Sequence, residues 1–235
     1  MSLTDHLVRL STPTPYTEAI HHTFLRAAGD STLDNTLLSL WLSQDRIYAA
    51  HAYPRFIGAL IASIPFRKSD GLKSSREAHN QRVLKTLTYA LENVIREVGF
   101  FVDTAEKWGL DLEGWRERKG TRDYVAEMVS ISGNRALNDG LVFLWAMERV
   151  YLDAWTFVLR ELQQSAVERA TSDSPAATFA DNWSSPEFIK FVDDLADLVN
   201  ASDIEWARAE EIWMRVVELE KDFWPSAGEE IQMRI

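Results

Sequence analysis

The chain has no cysteine among its 235 residues. Disulfides, thiolate metal sites and thiol nucleophiles are therefore excluded, whatever compartment the protein occupies. Glycine and proline are sparse, at 10 and 7 residues, and they cluster, so long stretches are free of the residues that interrupt helices. No apolar run approaches the roughly 18 to 20 residues needed to cross a bilayer. The first ten residues carry Asp5, His6 and Arg9 instead of an apolar core ahead of a small-residue cleavage site. No secretory signal is visible, and a cytoplasmic location is the expectation. Cations are also in short supply: 25 Lys and Arg face 36 Asp and Glu, a net charge of −11. Such a chain repels phosphate backbones, and no basic stripe interleaved with aromatics offsets that, which argues against nucleic acid as a partner.

What is present is apolar periodicity close to 3.6 residues almost everywhere, the signature of an all-α protein. One domain over residues 1–235 is expected, with a helical core over about 15–228. The pattern predicts helices over 16–28, 34–51 (bent or ended by Pro54), 56–63, 76–108 (stopped by Gly109), 120–132, 138–170, 186–200 and 203–224. A Ser/Thr/Pro-rich loop is predicted from Thr171 to Pro186. In the longest stretch the apolar positions include Val83, Leu87, Ala90, Val94, Ile95 and Phe101. Nine tryptophans and the number of apolar helix faces point to a homo-oligomer.

Several acids fall on apolar faces. Trp213, Val216, Val217, Glu220, Phe223 and Trp224 recur at steps of 3, 4 and 7, which places Glu220 inward while Glu218, Lys221 and Asp222 point away. Taken without its neighbours, Glu220 would read equally well as part of a solvated charged face. Leu38, Trp41, Asp45 and Tyr48 repeat the arrangement. Asp45 must then either meet a donor or ligand inside or form a surface ion pair with Arg46. Glu148 lies on a stripe with Trp145, Tyr151 and Trp155, and a structural ion pair with Arg149 is its competing reading. Two acids in one dry pocket separate in proton affinity, leaving one to donate a proton while the other stays ionised. Glu18 and His21 form a single Glu-x-x-His pair, but all five histidines precede residue 80. The second pair of a di-iron bundle is missing, and no metal or cofactor is expected.

Four segments in order, Leu42-Ser43-Gln44-Asp45-Arg46-Ile47-Tyr48, Thr121-Arg122-Asp123-Tyr124, Asn182-Trp183-Ser184-Ser185-Pro186-Glu187-Phe188 and Glu220-Lys221-Asp222-Phe223-Trp224, resemble the TenA family over roughly residues 15 to 228. The resemblance implies a haem-oxygenase-like helical bundle that acts on thiamin-derived pyrimidines, releasing an amine from an aminomethyl- or formylaminomethyl-pyrimidine. It further implies that Asp45 holds the aminopyrimidine edge, that Glu220 is the acid before the terminal Phe-Trp, and that Tyr48 and Tyr124 contact the ring. Trp183 stands where many members have a tyrosine. Trp145, on the stripe of Glu148, is expected to join these ring contacts. By this alignment Leu144 occupies the place of the cysteine nucleophile found in many members. The chain is thus similar to the cysteine-free branch, in which Glu148 is expected to share the catalytic work with Glu220 and Asp45. A small-molecule pyrimidine is the expected ligand. A non-catalytic pyrimidine-binding or regulatory protein on the same fold, or less favourably a metal-dependent oxidase, are the alternative readings.

Overall fold

The computed structural model describes residues 1–169 and 173–235, with the side chains of 165–169 left out. Its helices are α1 Leu3–Arg9, α2 Tyr16–Ile20, α3 Thr23–Gly29, α4 Asn35–Ile47, α5 Tyr53–Ala62, α6 Ser75–Trp108, α7 Lys119–Gly133, α8 Leu137–Arg169, α9 Pro175–Trp183, α10 Pro186–Asn200, α11 Trp206–Phe223 and α12 Glu229–Met233. The only extended pairing among the described residues is a bridge between Trp115 and Arg234. None of their helices is long and apolar enough to cross a membrane.

The central element is α8. Its residues Leu141 to Met147 are all buried, and a helix apolar on every side must be covered on every side. It is wrapped by α2, α3, α9, α10 and α11, with α5 and α7 nearer its start. Side-chain caps set several boundaries. Asp34 accepts from Thr36 N at 2.7 Å, and Ser74, Ser174 and Ser185 each accept from the third residue beyond them. Gly109 closes α6 with a left-handed φ of 66°.

Several sequence expectations need correction. The first predicted helix is two, because His22 leaves the helical path and caps α3, its Nδ1 accepting from Phe24 N at 3.2 Å. The Ser/Thr/Pro-rich segment is not a loop throughout: Ser174 and Pro175 are a cap and a first-turn proline, and they start α9. Ala170, Thr171 and Ser172 lie outside the described residues. Pro54 does not end the second helix. A π-helical turn over Tyr48–Ala52 joins α4 to α5, and Pro54 falls in the first turn of α5, where its missing N–H is tolerated. Ile95, expected on the buried face of α6, is 71% exposed. The buried seam runs instead through Val83, Leu87, Ala90, Val94 and Phe101, spaced 4, 3, 4 and 7.

One junction fixes three helix ends together. Gln44, fully buried on α4, accepts from Arg118 N at 2.8 Å and Thr121 Oγ1 at 2.9 Å, and its amide donates to Arg116 O at 3.2 Å. The Arg118 guanidinium donates to the carbonyl of Phe223 at 2.6 Å and pairs with Glu229 at 2.7 Å, capping the end of α11. Gly120 lets α7 approach α11: a Cβ there would lie 2.3 Å from the carbonyl oxygen of Asp222. At Gly140 a Cβ would meet the flexible tip of Leu60 instead, at 2.2 Å. Backbone yields less readily than a leucine methyl. Gly120→Ala is therefore expected to cost about 1–3 kcal/mol and Gly140→Ala less, as read from denaturant midpoints. The reverse order would show that the α7–α11 contact is loose.

Candidate active site

The structure brings together residues from eight segments around one narrow cleft. Asp45 comes from α4, Tyr48 from the π-helical turn, Tyr53 from α5, Glu97 from α6, Tyr124 from α7, Glu148 and Tyr151 from α8, Trp183 from α9 and Glu220 from α11. The space they frame is about 470 Å³ with its mouth counted. Seven of its lining residues are aromatic, a lining that suits a flat ring. The π-helical turn contributes directly, since its wider winding brings Tyr48, Ala49 and Tyr53 all to the cleft.

Each acid rests on an aromatic donor. The Tyr151 hydroxyl donates to Asp45 Oδ2 at 3.0 Å, and the Tyr124 hydroxyl to Glu220 Oε1 at 2.6 Å. The Tyr53 hydroxyl donates to Glu148 Oε1 at 2.6 Å, and the Trp183 indole to Glu97 Oε1 at 2.9 Å. Asp45 and Glu220 are 3% and 2% exposed and form the inner end. Glu97 and Glu148 are densely surrounded yet keep partial solvent access, which places them toward the mouth. Glu220 Oε2 is buried and has no hydrogen-bond partner. Arg149 pairs with Asp153 at 2.9 Å, not with Glu148, so the competing ion-pair reading of Glu148 is set aside.

Burial governs the electrostatics. Desolvation, reinforced by the neighbouring carboxyls and only partly offset by the tyrosine bonds, pushes Glu148 and Glu220 each up to about 8. Desolvation and then the charge of Glu97 hold Asp45 well above the usual carboxylate range. Glu97 is raised by desolvation against its bonds to Trp183 and neighbours. The tyrosines shift upward too, chiefly by desolvation and next by the acids beside them, so their hydroxyls stay protonated donors.

Of the residues expected from sequence, Asp45, Tyr48, Tyr124, Glu148, Trp183 and Glu220 line this cleft, and Trp145 does not. Trp145 stacks on Trp213 at 5.4 Å and faces a separate groove beside Arg149 and Asn200. Met147, Tyr151 and Glu148 occupy an arc of about 100° on α8, and Trp145 lies about 60° beyond it. Leu144 is not among the lining residues either. It is fully buried but one turn short of the cleft, and the α8 sulfur that faces inward is that of Met147, which accepts from the Tyr48 hydroxyl at 3.4 Å. The Glu18 and His21 pair is no ligand set: Glu18 bonds Lys221 at 2.9 Å and His21 packs on Phe157 at 4.5 Å. Among the described residues no group of three His, Cys, Asp or Glu is arranged to hold a metal ion.

Sequence reasoning missed Glu97 and Tyr53. Glu97 had a legible signal, because it occupies the vacant step in the seam Val94, Glu97, Phe101 of α6. Tyr53 had none, since the π-helical turn that aims it depends on tertiary packing.

An all-helical chain with acids gathered in an aromatic cleft matches one family along most of its length: the model of the TENA/THI-4/PQQC family covers residues 14–230. The chain belongs to that family. It is 22% identical over 215 residues, 89% of its length and 86% of the relative, to a Glycine max protein called a probable bifunctional TENA-E protein. It is 27% identical over 229 residues to a Fusarium pseudograminearum protein called a probable transcription factor, and it spans only 45% of that relative. Among solved structures, a TenA homologue from Pyrococcus furiosus superposes with a TM-score of 0.74 at 22% identity, covering 94% of this chain and 98% of that one. A TenA homologue from P. horikoshii gives 0.76 at 16% identity, with 95% and 97% covered. The fold is therefore TenA-like, of the haem-oxygenase-like class.

Glu148 and Glu220 hold protons in the folded chain up to about pH 8, whereas the unfolded chain releases them near the ordinary carboxylate value. Between those limits the folded state binds more protons, so the stability they contribute is present at the acid end and is lost as pH rises toward 8. The thermal midpoint of the ligand-free protein is expected to drop between about pH 5 and about pH 8. In Glu220→Gln, which is neutral throughout, the drop should be smaller. Equal slopes would show that Glu220 is ionised in the folded chain.

Proposed function

We propose that the chain is a hydrolase of thiamin-derived pyrimidines that releases an amine from an aminomethyl- or formylaminomethyl-pyrimidine by proton transfer between carboxyls, without a covalent sulfur intermediate. The observation that carries this reading is the convergence of Asp45, Glu148 and Glu220 on one slot walled by aromatic rings. Family membership supports it, as does the likeness to a protein of Sulfolobus solfataricus described as a candidate TenA-like thiaminase, with a TM-score of 0.69 at 16% identity.

In this reading Asp45 accepts the N–H groups of the ring amidine from the inner end, while Tyr151 orients its other side. The tyrosines and Trp183 bound the faces of the ring. For an aminomethyl substrate, a water oxygen bonds to the methylene carbon as the carbon–nitrogen bond breaks. One member of the Glu148 and Glu220 pair takes the proton of the water, and the other gives its proton to the departing nitrogen. Ammonia and a hydroxymethyl-pyrimidine result, and the two carboxyls have exchanged protonation states. Two interacting acids with affinities near neutrality suit this exchange, because the pair as a whole titrates in the working range.

A second reading, a pyrimidine-binding regulatory protein, draws on the Fusarium relative called a probable transcription factor. Release of ammonia from a panel of aminomethyl- and formylaminomethyl-pyrimidines separates the two: turnover supports the hydrolase, and tight binding without turnover supports the regulator. Within the hydrolase, Glu220→Gln is expected to lower kcat by about 10²- to 10⁴-fold while the pyrimidine still binds. Unchanged turnover would remove Glu220 from the mechanism. Asp45→Asn is expected to weaken binding itself by calorimetry, and an unaltered dissociation constant would overturn its role.

A further inference from the structure

Glu97 is the one carboxyl of the cleft to which the proposed reaction gives no role. It sits toward the mouth on α6, with Oε1 bound by the Trp183 indole at 2.9 Å and the Asn93 amide at 3.3 Å. The cation beside it, Arg96, does not line the cleft. Arg96 is exposed and is held outside by Asn93 Oδ1 at 2.6 Å and Asn182 Oδ1 at 3.2 Å. Four carboxyls therefore line this slot with no Lys, Arg or His among the lining residues. Buried carboxylates need a cation or they stay protonated. Where the protein supplies none, a ligand can, and Glu220 Oε2, buried and without a partner among the described residues, marks the interior as a place for a polar ligand atom.

We propose that Glu97 is a specificity-determining residue: together with Glu148 it forms a carboxyl collar at the mouth that selects ligands carrying an alkylammonium group in addition to the ring amidine. This rests on the hydrolase reading and narrows it. The free aminomethyl compound arrives as an ammonium ion at its side arm and gives up that proton before its carbon–nitrogen bond breaks, whereas the formylated compound is a neutral amide there, so the collar favours the first. Asp45 is left to the ring and Glu220 works with Glu148 in the proton transfer, so Glu97 is the acid free to read substrate charge before the ring reaches the inner end. Entry of a cation also lowers the proton affinity of the surrounding acids and expels protons from the site.

The test compares kcat/KM for the aminomethyl- and formylaminomethyl-pyrimidines in the parent chain, Glu97→Gln and Glu97→Asp. Parent selectivity for the aminomethyl compound is expected. Glu97→Gln should lose about tenfold in kcat/KM for that compound, chiefly through KM, a change corresponding to about 1.4 kcal/mol, while the formylated compound changes less than twofold. Glu97→Asp, which keeps the charge, should retain most of the preference. Calorimetry of the neutral hydroxymethyl-pyrimidine checks the cleft, and its affinity should be the same in all three proteins. In buffers of different ionisation enthalpy, binding of the aminomethyl compound should release protons to solvent and binding of the hydroxymethyl compound should not. Equal losses on both substrates, no preference in the parent, or no proton release would each overturn the collar while leaving the hydrolase standing. Neither turnover nor binding of any pyrimidine in the parent chain would overturn both.

Discussion

The structure depends on keeping four carboxyls in a desolvated cleft without a cation among them. An ionised carboxylate there is costly, and the molecule meets that cost through protonation and neutral hydrogen-bond donors. Tyr151, Tyr124, Tyr53 and the Trp183 indole each supply a donor to one acid. A lysine in any of these places would fix its acid as an ion pair and lower its proton affinity. A phenol or indole holds the carboxyl in position and leaves it able to gain or lose a proton near neutral pH. The aromatic wealth of the sequence thus serves the acids as much as the apolar core.

Holding these pairs requires that helices distant in sequence meet with fixed ends. The junction of Gln44, Arg118 and Gly120 ties the ends of α4, α7 and α11, the helices that carry Asp45, Tyr124 and Glu220. The π-helical turn between α4 and α5 adds Tyr48 and Tyr53 from adjoining positions. Central α8 presents Met147, Glu148 and Tyr151 on one arc. A glutamine beside the inner aspartate is in this view a positioning element: its side chain bonds the start of the neighbouring helix and keeps the cleft at one width.

Much of this was legible in the chain itself. The 3.6-residue period located most of the long helices, and the acids at 45, 148 and 220 stood out because each interrupts an apolar stripe. Glu97 obeys the same rule, but Ile95, Val98 and other apolar residues around it broaden the apolar face of α6 and hide the step it occupies between Val94 and Phe101. The α9 helix was hidden by its composition, as Ser174 and Pro175 mark a helix start as readily as a loop. Trp145 was assigned to the wrong side of α8 because spacing of three from Glu148 places two residues near one another on a helix surface but not necessarily on the same side of a boundary between neighbours.

Sequence by itself determined the helical class, the absence of cysteine nucleophiles, the acidic balance and the inward face of most amphipathic helices, since these follow from composition and local period. Tertiary structure alone decided which acid meets which aromatic donor, that Tyr53 enters the cleft, that Met147 and not Leu144 faces it, and that no cation stands among the described residues lining it. The reason is physical: a helical period fixes a direction around one axis, whereas a hydrogen bond or a shift in proton affinity depends on the distance between axes, and that is set by packing among segments far apart in the chain.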